Sequence, residues 1–303
     1  MPGAGRAGKR ARARGGRRVR IALTLAGLLI AAPAAAQGPA NWTAPTEPFR
    51  VADNLYYVGT AGLSAFLITT SQGHILIDGA MPTSAKPIEA SIVKLGFKPS
   101  DVKVLLNTHA HFDHAGGLAE LKRDTGARLE ASAPDRAALE SGTYPGSEDV
   151  TAFNFAPVKV DRVLKGGDTV SLGGTVLTAH LTPGHSAGCT TWTFPLTIDG
   201  AQRQAMLYCS TSVAANRLAS KAKGPQYPGI VADYEKTFAR LKSMKADVFL
   251  APHAEQFGLA EKRAKLAAGG PNPFIDPERL QTTVAASEKA FREELAKQQD
   301  AAK

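Results

Sequence analysis

Cysteine is almost missing from this 303-residue chain: Cys189 and Cys209 are the only two. That excludes a disulfide-dense scaffold and any zinc site built on three or four thiolates. Acidic residues are missing from the first 46 positions, whereas eight of the 36 basic residues (Arg6, Lys9, Arg10, Arg12, Arg14, Arg17, Arg18 and Arg20) fall there. The formal charge of +9 therefore belongs to the start of the chain. The remainder is within about one charge of neutral, which removes the case for a nucleic-acid partner that the net charge first suggests. No short tandem repeat is present, so a solenoid is excluded. The most apolar stretch, Ile21–Ala32, is too short for a comfortable membrane span.

Residues 1–36 have the layout of a secretory signal peptide: a basic segment, the apolar stretch Ile21–Ala32, and the small-residue run Ala34-Ala35-Ala36. Arg17-Arg18 is similar to a twin-arginine signal, and a retained anchor is the alternative. The expectation is a single domain at residues 37–303, exported to the bacterial periplasm. In that oxidising compartment Cys189 and Cys209 would pair, although each also sits in or beside an apolar run where a buried thiol fits.

After a Pro-rich arm, Gly38–Pro48, short apolar runs alternate with turn signals. Strands are expected at 54–58, 65–69, 74–78, 102–106 and 127–131, with helices at 84–95, 118–121 and 134–139. The second half repeats the scheme, with strands at 158–163, 169–172, 175–181, 190–194, 204–208 and 247–251 and helices at 230–244 and 277–298. Strands and helices come twice, in halves of similar content. This favours two mixed β-sheets packed face to face with helices outside, a four-layer αββα sandwich, over one parallel sheet. Residues 141–153 read as a loop that could border a cleft. Trp42 packs either over a site or on the body.

Histidine is also scarce, seven in all, yet three stand in the run Thr108-His109-Ala110-His111-Phe112-Asp113-His114, directly after the strand at 102–106. Imidazole and carboxylate are ligand types that zinc takes from protein. Four such side chains on one loop would crowd a single tetrahedral ion, and the spacing suits two metals shared across the loop. His185 and His253 also follow apolar strands, through Thr182-Pro183-Gly184 and Pro252. Three strand-end loops can converge at one rim of a two-sheet sandwich. His74 starts a strand and His180 lies inside one, so both read as structural or surface residues.

The run His109-x-His111-x-Asp113-His114, followed by His185 and His253, resembles the metallo-β-lactamase superfamily, from Asn54 to His253. Leu181-Thr182-Pro183-Gly184-His185-Ser186-Ala187-Gly188, Tyr227-Pro228-Gly229-Ile230 with Asp233-Tyr234, and Trp42 in the arm look most like its subclass B3 enzymes. The resemblance implies two Zn2+ ions, one on His109, His111 and His185, the other on Asp113, His114 and His253. It makes Asp78 a supporting aspartate that binds no metal. It also implies hydrolysis of penicillins, cephalosporins and carbapenems by a zinc-bound hydroxide, with Asp113 orienting that nucleophile as the catalytic carboxylate, and hence antibiotic resistance. The alternative is a lactonase or a glyoxalase II-like thioesterase of the same superfamily. Those usually carry a further metal-bridging Asp, where this chain has Leu207-Tyr208-Cys209-Ser210-Thr211-Ser212 and no carboxylate. Ser210, Thr211 and Ser212 are candidates to bind a substrate carboxylate, with Asn216 and Arg217 nearby. Cys209 is read as a strand or disulfide residue, because the ligand set is complete without it. The expected partner is a small-molecule β-lactam, with no nucleic acid and no stable membrane anchor, acting on a monomer.

Overall fold

The computed structural model describes residues Gly38–Lys303; the expected leader, residues 1–36, lies outside the described residues. Strands β1 (Phe49–Ala52), β2 (Leu55–Tyr57), β3 (Phe66–Thr70), β4 (Gly73–Ile77), β5 (Val102–Leu106), β6 (Arg128–Ser132) and β7 (Arg162–Leu164) form one sheet in chain order. Pairing is antiparallel from β1 to β4 and parallel from β4 to β7. Parallel neighbours need long crossovers, and helices supply them. These are α1 (Ala85–Lys94) after β4, α2 (Phe112–Ala115) and α3 (Leu118–Thr125) after β5, and α4 (Ala133–Ser141) after β6.

Strands β8 (Thr169–Leu172), β9 (Thr175–Leu181), β10 (Thr190–Ile198), β11 (Ala201–Leu207) and β12 (Val248–Leu250) form the second sheet, in the order β12-β11-β10-β9-β8. Only its β11–β12 pair is parallel, and α5 (Ile230–Ser243) bridges that gap. Helices α6 (Leu259–Ala268) and α7 (Arg279–Ala301) close the described chain.

Both faces of the first sheet are covered, so its strands read as unbroken apolar runs rather than alternating ones. Phe66, Ile68, Ile75, Ile77, Val104 and Leu106 pack with Leu177, Trp192, Phe194 and Met206 of the second sheet. The intervening Leu67, Leu76 and Leu105 pack instead with Ile88 and Ile92 of α1 and Leu118 and Leu121 of α3. Outside the second sheet, the Phe291 ring of α7 lies 4.8 Å from Tyr234 and 5.5 Å from Phe238, both on α5. The layers are thus αββα, as the sequence led us to expect.

Three local differences have physical causes. The expected strand at 158–163 shrinks to Arg162–Leu164. Val158 and Val160 stay buried, but their N–H groups bond Leu139 O and Glu140 Oε1 at the end of α4 rather than a sheet neighbour. Helix α2 is built from Phe112-Asp113-His114-Ala115, side chains chosen for chemistry, which carry no helical periodicity. Strand β1 follows Pro48 and is too short to show a pattern. Among the described residues no helix is long and apolar enough to cross a membrane.

The sheets join at one rim. Thr108, just past β5, accepts a hydrogen bond from the Thr190 N–H of β10 at 2.8 Å. Pro252, just past β12, accepts one from the Ser64 N–H at 2.8 Å, and the Ala254 N–H bonds Gly62 O at 2.9 Å. The loops after β5, β9 and β12 therefore converge at this rim.

Candidate metal centre

Those three loops bring six side chains together. The ligand atoms of His109, His111 and His185 lie within 4.8 Å of one another, and so do those of Asp113, His114 and His253. His109 Nε2 and His185 Nε2 are 3.1 Å apart. His114 Nε2 stands 3.2 Å from His253 Nε2, and Asp113 Oδ2 is 3.3 and 3.5 Å from those two nitrogens. Two nitrogens each 2.0–2.1 Å from a tetrahedral zinc would stand roughly 3.4 Å apart, so both trios fit such an ion. The short loop Ala110–His111 and the single turn of α2 are what divide the run. His109 and His111 join one trio, Asp113 and His114 the other, the grouping that the family resemblance implied.

Burial decides the charge state. It drives His109 and His111 well below the usual imidazole value, His185 down to about 4 and His253 down to about 3. These rings are neutral at neutral pH, the form that binds metal. Burial alone would raise the Asp113 carboxyl, but His114, with His111 and His253, holds it well below the usual carboxylate range.

Known proteins are similar to this chain in sequence and fold. Residues 59–197 match the family described as the metallo-beta-lactamase superfamily. The structure superposes on BJP-1, a subclass B3 metallo-β-lactamase of Bradyrhizobium japonicum, with a TM-score of 0.84 and 51% identity, covering 87% of this chain and 99% of that one. It superposes on the FEZ-1 metallo-β-lactamase of Legionella gormanii with a TM-score of 0.80 and 43% identity, covering 84% and 98%. The chain belongs to the metallo-β-lactamase superfamily. A curated relative, hydroxyacylglutathione hydrolase of Hyphomonas neptunium, is 36% identical over 94 residues, which is 31% of this chain and only 30% of that protein. The metallo-β-lactamase fold implies metal ions, usually zinc, and the two trios are the groups of this chain that could hold them.

The tautomers are set from behind. Asp78 accepts hydrogen bonds from the Thr108 N–H at 2.7 Å and from the Thr108 hydroxyl at 2.9 Å. That hydroxyl has given its proton away, so at 3.1 Å it accepts from His109 Nδ1, and the Nε2 lone pair points into the site. His185 does the same by donating from Nδ1 to Ser212 O at 2.8 Å. Tyr234 OH donates to the same carbonyl at 2.7 Å, and Asn216 Nδ2 holds the His185 carbonyl at 2.8 Å. Gly184 is required here: its φ is +139°, and a Cβ would fall 2.8 Å from the Tyr234 ring. Asp78 itself adopts φ 66°, a left-handed conformation that a short polar residue tolerates best. Its burial pushes its carboxyl up to about 6.

A cavity of about 480 Å³ opens onto the trios. Trp42, Phe112, Tyr144 and Phe153 line it, so the 141–153 loop and the leading arm both border the site. The Trp42 ring sits 5.2 Å from the His253 ring, so it borders the site while also packing on the body. Of the three candidate substrate hydroxyls, only Ser212 is exposed in this cavity. Ser210 and Thr211 are buried; Thr211 bonds Tyr208 OH, and Ser210 Oγ lies 3.2 Å from Ser212 Oγ. Asn216 is buried too, and Arg217 binds Gly146 O at 2.7 Å, bracing the 141–153 loop. Cys189 and Cys209 form a disulfide behind His109, so their sulfurs are not free to bind metal. His74 packs edge-on against Phe97, and His180 bonds Thr193 and Arg240; neither reaches the trios.

Sequence reading passed over one buried carboxylate, Asp135. It accepts from the Ala110 N–H at 2.9 Å and the Gly188 N–H at 3.0 Å, on two different ligand-bearing loops. Burial pushes its carboxyl up to about 6.

Proposed function

We propose that this enzyme hydrolyses the β-lactam amide bond with two zinc ions, conferring resistance to penicillins, cephalosporins and carbapenems. The observation that carries the proposal is the pair of preorganised trios, one of three neutral histidines and one containing Asp113, sharing the loop after β5. In this reading His109, His111 and His185 hold one ion and Asp113, His114 and His253 the other. The ions supply Lewis acidity, activating water and polarising the scissile carbonyl. The chain's own groups do the rest. Asp113 accepts a hydrogen bond from the attacking water and aims it. The Ser212 hydroxyl, exposed at the cavity edge and 3.2 Å from both Ser210 Oγ and His185 Nδ1, can turn its proton to the substrate carboxylate. The aromatic wall of Trp42, Phe112, Tyr144 and Phe153 keeps bulk water from one side of the ring. No covalent bond to the enzyme is required.

The same reading makes residues 37–303 one catalytic domain behind a leader at 1–36, acting as a monomer in the periplasm on small molecules. Thioester hydrolysis is the second reading, favoured by the local match to hydroxyacylglutathione hydrolase. The carboxylate-free segment Leu207–Ser212 weighs against it. Purified protein should hydrolyse nitrocefin and imipenem, lose that activity to a strong chelator and regain it with zinc. Turnover of S-lactoylglutathione without turnover of either β-lactam would reverse the order of the two readings.

A further inference from the structure

His109 is flanked by two peptide N–H groups, Thr108 and Ala110, and each is held by a buried carboxylate from a different element. Asp78, beyond β4, takes the first at 2.7 Å; Asp135, in the first turn of α4, takes the second at 2.9 Å. The other oxygen of Asp135 takes the Gly188 N–H at 3.0 Å, three residues past His185, and Ser186 Oγ donates to it at 3.3 Å. Ser132, at the start of α4, completes the grip: its hydroxyl donates to the Gly188 carbonyl at 2.7 Å instead of capping its own helix. The fit is close enough to fix the residue type at 188. A Cβ there would lie 2.3 Å from Asp135 Cγ and 2.4 Å from Ser132 Oγ.

We infer that Asp135 is a positioning residue that locks the 109–111 loop to the 185–188 loop, so that His109, His111 and His185 converge as one three-nitrogen site. The inference rests on the metal-site reading proposed above. Asp135 is 2% exposed, lies outside the lining of the 480 Å³ cavity and makes no hydrogen bond to a nitrogen of the trio, so it acts through the two loops. No cation balances it among the groups that bond it. Two N–H donors, one hydroxyl and its place in the first turn of α4 stabilise the carboxylate instead. Each oxygen takes one peptide N–H, from a different loop, and the Ser186 hydroxyl lies 3.3 and 3.4 Å from the two. An amide in the same place accepts from one loop and turns an N–H against the other. The third trio member comes from elsewhere in the other cluster: Asp113, His114 and His253 depend on α2 and the Pro252–Ser64 link, which Asp135 does not contact. Asp135 therefore grips both loops of one trio and reaches the other only through His111, whose carbonyl starts α2.

Single-site backgrounds test this. His253→Ala leaves only the three-histidine site complete, and His185→Ala leaves only the Asp113 site complete. Zinc affinity is read by competition with a chromophoric chelator. Adding Asp135→Asn to His253→Ala should weaken zinc binding about 10–100-fold, as loss of a group supporting a ligand does. Adding it to His185→Ala should change affinity by no more than about two- to three-fold, far less than in the first background. Asp161→Asn serves as a control for general destabilisation, since Asp161 braces Leu129 and Lys122 away from the rim. Its zinc affinity should stay native in the His253→Ala background even where its melting point falls as far. Native zinc affinity in Asp135→Asn/His253→Ala would overturn the inference, as would equal losses in both backgrounds. If neither His253→Ala nor His185→Ala binds zinc, nor does the unmutated protein, the metal-site reading itself has failed.

Discussion

Replacing Thr108 by valine tests whether the metal-facing nitrogen of His109 is set from behind. Thr108 is 1% exposed, and valine matches its shape, so no cavity opens. What disappears is a hydroxyl 2.9 Å from Asp78 Oδ2 and 3.1 Å from His109 Nδ1. A buried hydrogen bond to a charged group is worth about 1.5–3 kcal/mol, and Asp78 keeps only its bond from the Thr108 N–H. For a chain of this size that lowers the melting temperature by about 5 °C. The larger effect is on the tautomer. His109 Nδ1 loses the acceptor that kept its proton, and a proton that moves to Nε2 blocks the lone pair a metal needs. Affinity at the three-histidine site should fall about 10–100-fold, with hydrolysis falling alongside at limiting zinc. Thr108→Ser keeps the hydroxyl and should retain near-native affinity. Chelator competition on the two variants decides the matter. Native zinc affinity in the valine variant, or equal losses in both, would refute the reasoning.

Asp113→Ala strips a donor from one trio and should cut β-lactam turnover by several orders of magnitude, while Ser210→Ala, buried beneath the rim, should leave turnover within a few-fold; steady-state kinetics on both variants separate the roles. The metal-free protein should lose stability on acidification: His185 at about 4 and His253 at about 3 stay neutral when folded, whereas the unfolded chain takes up those protons below about pH 6.5. Their contribution is complete above that value and lost as pH falls toward 3–4, on the order of 1 kcal/mol per group per pH unit; His109 and His111 act in the same direction. For His114, burial lowers the value but Asp113 raises it further, so one group partly offsets the rest; denaturant midpoints across pH 4–7 in chelator check the slope. Phe291→Ala, which empties the aromatic contact between α5 and α7, should cost about 3–5 kcal/mol, read as a lowered midpoint in urea unfolding.

The convergence of six side chains was legible in the sequence because their types and their place after apolar strands pointed to one rim. The layers were legible for a related reason. Strands covered on both faces, such as Ile75-Leu76-Ile77 and Val104-Leu105-Leu106, leave no polar residue to blur them. Asp135 was not legible. An aspartate in the first turn of a helix ordinarily answers the helix dipole, and only its burial against Ala110 and Gly188 reveals a different task. Ser210 and Thr211 misled in the opposite sense. Short hydroxyl residues after a strand end serve a substrate or satisfy a buried neighbour equally well, and the strand direction that sends them inward is not written in their spacing. The segment 158–163 failed as a strand because apolar residues packing against the end of α4 have the same pattern as residues in a sheet edge.

Thr108 shows why the fold and the site are one problem. Its N–H and hydroxyl go to Asp78 of the first sheet, its carbonyl receives Thr190 of the second, and the next residue is His109, the first of the six converging side chains. The sheets cannot shift at this rim without moving His109 against His185. The charge balance then follows from the residues so placed. Two zinc ions would bring four positive charges against one carboxylate in the trios, Asp113, with Asp78 and Asp135 buried behind them, since the five histidines are neutral as ligands. Glu255, the other acid lining the cavity, is exposed and 3.8 Å from His253 Nδ1, where solvent screens it. A site with such an excess of positive charge, walled on one side by aromatic rings, favours small anionic molecules whose cleavage generates further negative charge. A β-lactam carries a carboxylate into the site and releases an amide nitrogen that must be stabilised as it leaves, so both its charges meet the excess.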